Sequence, residues 1–375
     1  ANTTTGYMTA VGYQALGGNT TGEYSVAVGR QALLSNTTGT RHVAIGAEAL
    51  EQNTTGNYCV AVGFKALESN NGSSSCAVGY QALLDQTTGA SNDAFGFEAM
   101  RENTTGGDNN AFGYQALYSN TTGASNTAIG HKALTTNTTA DYNTAVGRYC
   151  LGLNTTGARN TAVGAFSQDA TGNGSYNTSI GYNSAGNNQS SYNTALGYYA
   201  LGGEGGATTS QYNTAVGNSA LLNHTGGEGC VAVGSFALDA NTTASNNTAV
   251  GMHALGATST GHSNTAIGRS ALSDVTTGGS NTACGMYAGD NITTGANVSC
   301  FGYQAEPSTA TTNNEIILGN ANVGAVRCGP GGVTTLSDGR DKTDVVDIPD
   351  GLDFVDSLRP VKFKWQTREG VETKD

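Results

Sequence analysis

The residues best equipped for chemistry are scattered, and their spacing argues against most sites. Five histidines (His42, His131, His224, His253, His262) show no metal-ligand spacing and read as surface or turn residues. Seven cysteines (Cys59, Cys76, Cys150, Cys230, Cys284, Cys300, Cys328) make an odd number without paired spacing. They replace other small residues of a repeat, so they read as packing groups rather than disulfides or metal ligands. Gly-Gly-Asp-Asn-Asn at 106–110 has the look of a calcium-binding glycine repeat but occurs once. No G-x-x-x-x-G-K-[ST] run exists, so the glycines read as turn formers and no cofactor is expected. Acidic residues never recur as a pair in phase, which leaves no glycosidase dyad to place. Asn-Thr-Thr recurs at Asn2, Asn19, Asn36, Asn53, Asn103, Asn120, Asn137, Asn154 and Asn241. Each copy is an N-glycosylation sequon, and together they form a threonine array of the kind that binds ice. The plainer reading is a recurrent Asn-Thr turn.

Composition narrows the class further. Glycine makes up 55 of 375 residues, about twice the ordinary share, and the net charge is −12. The acidic balance argues against nucleic-acid partners, and no apolar run approaches the ~18 residues of a membrane span. All four prolines and the single tryptophan fall after residue 306, so the chain has two unequal parts. Ala1 enters in the middle of a repeat, as expected of a piece of a longer protein.

The elements that must carry any site are repeats. Glycines of an Ala-Val-Gly core recur from Gly12 and Gly29 through Gly147, Gly164, Gly181, Gly197 and Gly217 to Gly302. Eighteen copies keep a 17-residue step, with 16 at two places and 20 before Gly217; a degenerate nineteenth ends at Gly319. The consensus N-T-A-V-G-Y-Q-A-L-x-x-N-T-T-G-x-x is too short for a helical hairpin. Its β-branched alternation predicts strands. Each repeat is expected to form one coil of an all-β parallel β-solenoid, or β-roll, with strands at N-T-A-V-G and Q-A-L and turns between. Alternation puts Thr and Val on one face and Ala and Gly on the other. The expectation is Val and Leu inside, with the Ala/Gly stripe at an axis shared by three identical chains.

The copies "SVAVG", "HVAIG", "NTAIG" and "NTAVG", each followed by an alanine, resemble the head repeats of trimeric autotransporter adhesins over residues 1 to about 320. Similar repeats occur in phage tail fibres. The resemblance implies trimers of left-handed parallel β-rolls, although the period there is near fourteen residues.

The domain division expected is a shaft over 1–320, a linker over 321–336 and the start of a small α+β domain over 337–375. In the last part, Leu352, Val355 and Leu358 have helical spacing, ended by Pro360, and "VKFKW" alternates as a strand does. Taken alone, Ser-Asp-Gly-Arg at 337–340 reads as a solvated turn. With "DVVDIPDGLDFVDSLRPVKFKW" after it, the segment closely resembles the start of the intramolecular chaperone domain of endosialidase-type phage tail spikes and fibres. That resemblance implies assisted trimerisation followed by self-cleavage before the serine. It implies Ser337 as nucleophile and Lys342 as general base, with Asp338 and Arg340 also matching and Gly339 and Asp341 at variable positions. A lysine can serve as such a base where burial leaves it neutral.

The functional expectation is a phage tail fibre on the virion: a homotrimer that meets a host glycan or protein receptor, with no enzymatic activity beyond self-cleavage. The alternatives are a bacterial surface adhesin or extracellular filament, and an enzyme acting on host polysaccharide with its cleft upstream of Ala1.

Overall fold

The computed structural model describes residues 6–169, 173–187, 189–202 and 210–325, and the backbone of two short strands beyond them. Residues 1–324 form one unit and 325–375 a second.

The first unit is a parallel β-solenoid. Nineteen three-residue strands run from β1 (Thr9–Val11) through β9 (Thr144–Val146), β10 (Thr161–Val163) and β11 (Thr178–Ile180) to β19 (Ile316–Leu318). Each pairs in parallel with its neighbour one repeat away, Thr on Thr, Ala on Ala and Val on Val: Thr144↔Thr161, Ala145↔Ala162, Val146↔Val163. With ~4.8 Å per coil the stack is about 85 Å long.

Only N-T-A-V-G forms a strand. The expected second strand, Q-A-L, is a chain of residues that alternate across the backbone map. Gln31 and Leu33 have φ of 59° and 52°, and the same two positions are left-handed in nearly every coil. The alternation turns successive N–H groups up and down the stack: Gln31 N–H reaches Tyr13 O (2.8 Å) in the preceding coil, and Leu33 N–H reaches Ala49 O (3.0 Å) in the next. Every coil therefore satisfies its backbone on its neighbours while turning faster than a strand can.

The two faces are the reverse of those expected. Ala145 and its equivalents are fully enclosed within their own coil, whereas the Val, Ile or Phe before each glycine points outward and is half-buried or exposed. The interior is filled by strand Ala, Q-A-L Ala and Leu, as with Ala27, Ala32 and Leu33. The Leu of Q-A-L fills the coil alongside the strand, so the strand position facing inward takes the small residue and the branched one goes out. Leu stands inside as expected. An alanine stripe enclosed in each chain cannot lie at an axis shared between chains.

Two asparagine ladders complete the interior. The Asn of Asn-Thr-Thr is buried, and its amide donates both to the carbonyl three residues on and to the equivalent Asn of the preceding coil. Asn120 Nδ2 reaches Gly123 O (2.9 Å) and Asn103 Oδ1 (2.8 Å). The Asn of Asn-Thr-Ala is buried as well: Asn109 Oδ1 accepts the Asn126 N–H (2.9 Å), and Asn109 Nδ2 donates to Gly123 O (2.8 Å). An amide buried in the stack is closed to glycosylation in the folded shaft, and every Asn-Thr-Thr asparagine from Asn19 to Asn241 is buried. His42 and His224 occupy ladder positions and are also buried, against the surface reading; burial lowers both below the usual imidazole range.

The Ala-Val-Gly glycine has no substitute. Gly147 has φ 142°, and a Cβ there would overlap the carbonyl oxygen of Gly164 in the next coil. Gly147→Ala is expected to cost about 2–4 kcal/mol, read as a lowered denaturation midpoint.

Candidate functional site

The outward surface of the coils is where this chain can meet anything else. The residue before each glycine and the residue after it both point out, so a band one strand wide carries Val78 and Tyr80, Phe95 and Phe97, Phe112 and Tyr114, Ile129 and His131, one pair per coil. Identical register makes like side chains stack. Phe64, Tyr80, Phe97 and Tyr114 follow one another at ring-centre distances of 5.5, 4.9 and 5.4 Å, with planes within 23° of parallel. His131 continues the run at 5.1 Å from Tyr114. It then crosses to Tyr149 and Phe166, one position further along the repeat, with Arg148 over both rings. A second ladder, Tyr142, Arg159, Tyr176, Tyr192 and Tyr212, alternates a guanidinium into stacked rings.

Charged groups cluster in one place. Glu48, Glu51 and Glu68 approach one another closely enough to share a cation. Arg30 pairs with Glu48, however, and Lys65 Nζ lies 3.2 Å from Glu48 and 3.0 Å from Glu68, so the cluster is an ion-pair network. Partial burial and the neighbouring Glu68 raise Glu51 above the ordinary carboxylate range. The six cysteines among the described residues are free thiols. Burial pushes Cys150 up to about 12, which makes it an inert packing group, as its repeat position suggested.

Two acidic sites escaped the sequence because their partners are a coil away. Burial, then Asp290, raises the Glu306 carboxyl well above its usual range at the last coils, beside a cleft of about 410 Å³. Asp169 is pushed up to about 6 by burial, which the N–H groups of Gly152 and Leu153 offset only in part. Its Oδ1 is shielded from solvent and has no hydrogen-bond partner among the described residues.

A carboxyl whose folded pKa lies above its unfolded value costs stability when ionised, and the cost disappears as pH falls through about 6 toward 4. Asp169→Asn is expected to stabilise the shaft at pH 8 by about 1–2 kcal/mol, after allowance for partial exposure, and not at pH 4. Thermal melting at the two pH values checks this.

The sequence-assigned catalytic pair lies elsewhere. Ser337 and Lys342, with Asp338 and Arg340, fall outside the described residues, as does the expected helix around Leu352, Val355 and Leu358. Of the expected strand 361–365 only its end is described: β20 (Trp365–Thr367) pairs antiparallel with β21 (Gly370–Glu372). Residues 337–375 match the peptidase-class family Chaperone of endosialidase. The match begins at Ser337 and takes in Lys342. No curated protein and no solved structure matches the chain. No helix among the described residues is long and apolar enough to cross a membrane.

Proposed function

We propose that this chain is part of a phage tail fibre or a similar virion appendage, a homotrimeric solenoid shaft whose assembly is guided by a chaperone that then cuts itself off. The observation that carries the reading is the endosialidase-chaperone match starting at Ser337, within twenty residues of the last solenoid glycine, Gly319. A periodic shaft must be started in register with its partners, because a slip by one coil costs little; a dedicated assembly domain at one end meets that need.

In the cleavage, Ser337 Oγ attacks the carbonyl carbon of Leu336 while its proton passes to the neutral amine of Lys342. The C–N bond to the Ser337 amine then breaks, and that nitrogen takes the proton. Water hydrolyses the resulting ester, leaving a Leu336 carboxylate and a free Ser337 hydroxyl.

The outward band, and not the alanine stripe, is the surface that suits the trimer. It is about 85 Å long and ~10 Å wide, roughly 850 Å² per chain to be shared between two neighbours about a common axis. Its 4.8 Å period matches another copy aligned in parallel, coil against coil. Light scattering on the purified shaft is expected to give three times the chain mass; a monomer at micromolar concentration would refute this assembly. The shaft's work is to hold an adhesive surface away from the particle and touch a host-cell glycan or protein.

A further inference from the structure

From Leu16 to Leu272 the fourth residue after each repeat glycine is an interior leucine or methionine, with two exceptions in adjacent coils. Gln168 and Ala185 hold that place after Gly164 and Gly181, and both are buried. The nearest interior leucines are Leu151 and Leu201. About 14 Å of the stack therefore passes without one, where the usual step is ~4.8 Å. The residues beside them change as well: Ser167, Ser179 and Ser184 stand inside at positions that are alanine in most other coils. The apolar interior is divided there, its first part ending at Ala162 and its second beginning at Ala185.

The backbone ladder runs through this stretch: Thr161 N–H reaches Asn177 O (2.9 Å) and Gln168 N–H reaches Ser184 O (2.9 Å). The serines bond in place. Ser167 Oγ lies 2.7 Å from Ser179 Oγ, Ser179 Oγ donates to Ser184 O (2.7 Å), and Ser184 Oγ donates to Ala195 O (3.0 Å). What is missing is apolar packing. A hydroxyl released from such a bond is taken up by water at little net cost, whereas a leucine is not. The polar accounting also fails here. Nine buried side-chain atoms lack a hydrogen-bond partner among the described residues, and four of them, Asn154 Oδ1, Gln168 Oε1, Asp169 Oδ1 and Ser210 Oγ, lie in or beside these coils. Water that enters on opening hydrates those atoms, which lowers the cost of opening further. In a solenoid each coil packs only on its neighbours, so a weak pair of coils borrows no stability from the rest.

We infer that the coils between Gly164 and Gly197 are a joint in the shaft, at which neighbouring coils part and re-close while the stacks on either side stay folded. Closed, the joint has a complete backbone ladder and keeps the rod continuous. Opened, it exposes serine, glutamine and alanine rather than leucine, so it re-closes without uncovering a sticky core. The joint belongs to each chain's own interior and holds whether or not chains associate. In the proposed trimer, identical chains put three joints at one level, and a rod loaded sideways yields at that level instead of unstacking at random.

Hydrogen–deuterium exchange on the whole chain, read by mass spectrometry at pH 7, tests this. The strand amides of Thr161–Val163 and Thr178–Ile180 are expected to exchange at least about tenfold faster than those of Thr127–Ile129 and Thr265–Ile267. The double variant Gln168→Leu, Ala185→Leu supplies the missing side chains. Both positions have the left-handed backbone that leucine adopts in the other coils, with φ of 49° and 51° beside 50° at Leu134. It is expected to slow exchange at the joint to the rate of the flanking stacks. Leu134→Gln, in a regular coil, is expected to open a second fast site around Thr127–Ile129. Equal exchange along the parent shaft overturns the joint, as does a double variant that melts no lower than the parent and still exchanges fast there. Where the double variant melts below the parent, Leu134→Gln decides: unchanged exchange in its own coil overturns the inference.

Discussion

Ser337→Ala is expected to leave the chain uncut. The attacking oxygen is gone, so the expected loss is complete rather than partial. Lys342→Ala has the same outcome for a different reason. Without a neutral amine the serine hydroxyl keeps its proton, and removal of a general base with its geometry typically costs 10²–10⁴-fold in rate. Asp341→Ala, at a position the resemblance marks as variable, cuts normally. A lysine amine is neutral near pH 7 only in a folded, partly dry environment, so the proposed cleavage is expected to follow assembly and to be absent from the denatured chain. Intact-mass spectrometry of the mature fibre reads all three variants. A mature product that still extends beyond Leu336, or a Ser337→Ala chain cut at the same bond, removes the assignment.

Ala145→Glu and Val146→Asp, adjacent in β9, are expected to do opposite things. Ala145 is fully enclosed by its own coil, with Ala128 and Ala162 above and below it in register. A glutamate there places a larger side chain and an unpaired charge in a space filled by alanine and leucine, at about 3–5 kcal/mol or more. The expected result is a shaft that fails to fold or melts far below the parent. Val146 faces outward, so an aspartate there costs the single coil stack little, within about 1 kcal/mol. It does put three like charges at the proposed trimer band, and assembly is lost. Circular dichroism and light scattering on the two variants separate fold from assembly. A Val146→Asp protein that no longer folds even as a monomer, or an Ala145→Glu protein with parental melting, reverses the assignment of faces.

The coil count, the parallel order and the strand at Thr-Ala-Val were all legible in the sequence, because a 17-residue period kept over eighteen copies leaves no other way to stack. The alternation Thr out, Ala in, Val out was legible as an alternation. Which side was the inside was not: hydrophobicity favours burying valine, and only the closed coil shows that, with the Leu of Q-A-L inside, the strand position facing it has room for alanine. The second strand was misread for a related reason. Q-A-L has strand-like composition, but closing a coil in so few residues requires left-handed backbone at Gln and Leu, which no propensity reveals. Asn-Thr-Thr announced a turn, yet its asparagines form a buried ladder because each amide finds its partner 17 residues away. Ser337 and Lys342 came from local resemblance, where a short motif carries its own chemistry. Gln168 and Ala185 carry no motif, and it took the closure of the coil, which puts the fourth residue after each glycine inside, to show that two adjacent coils lack their leucine.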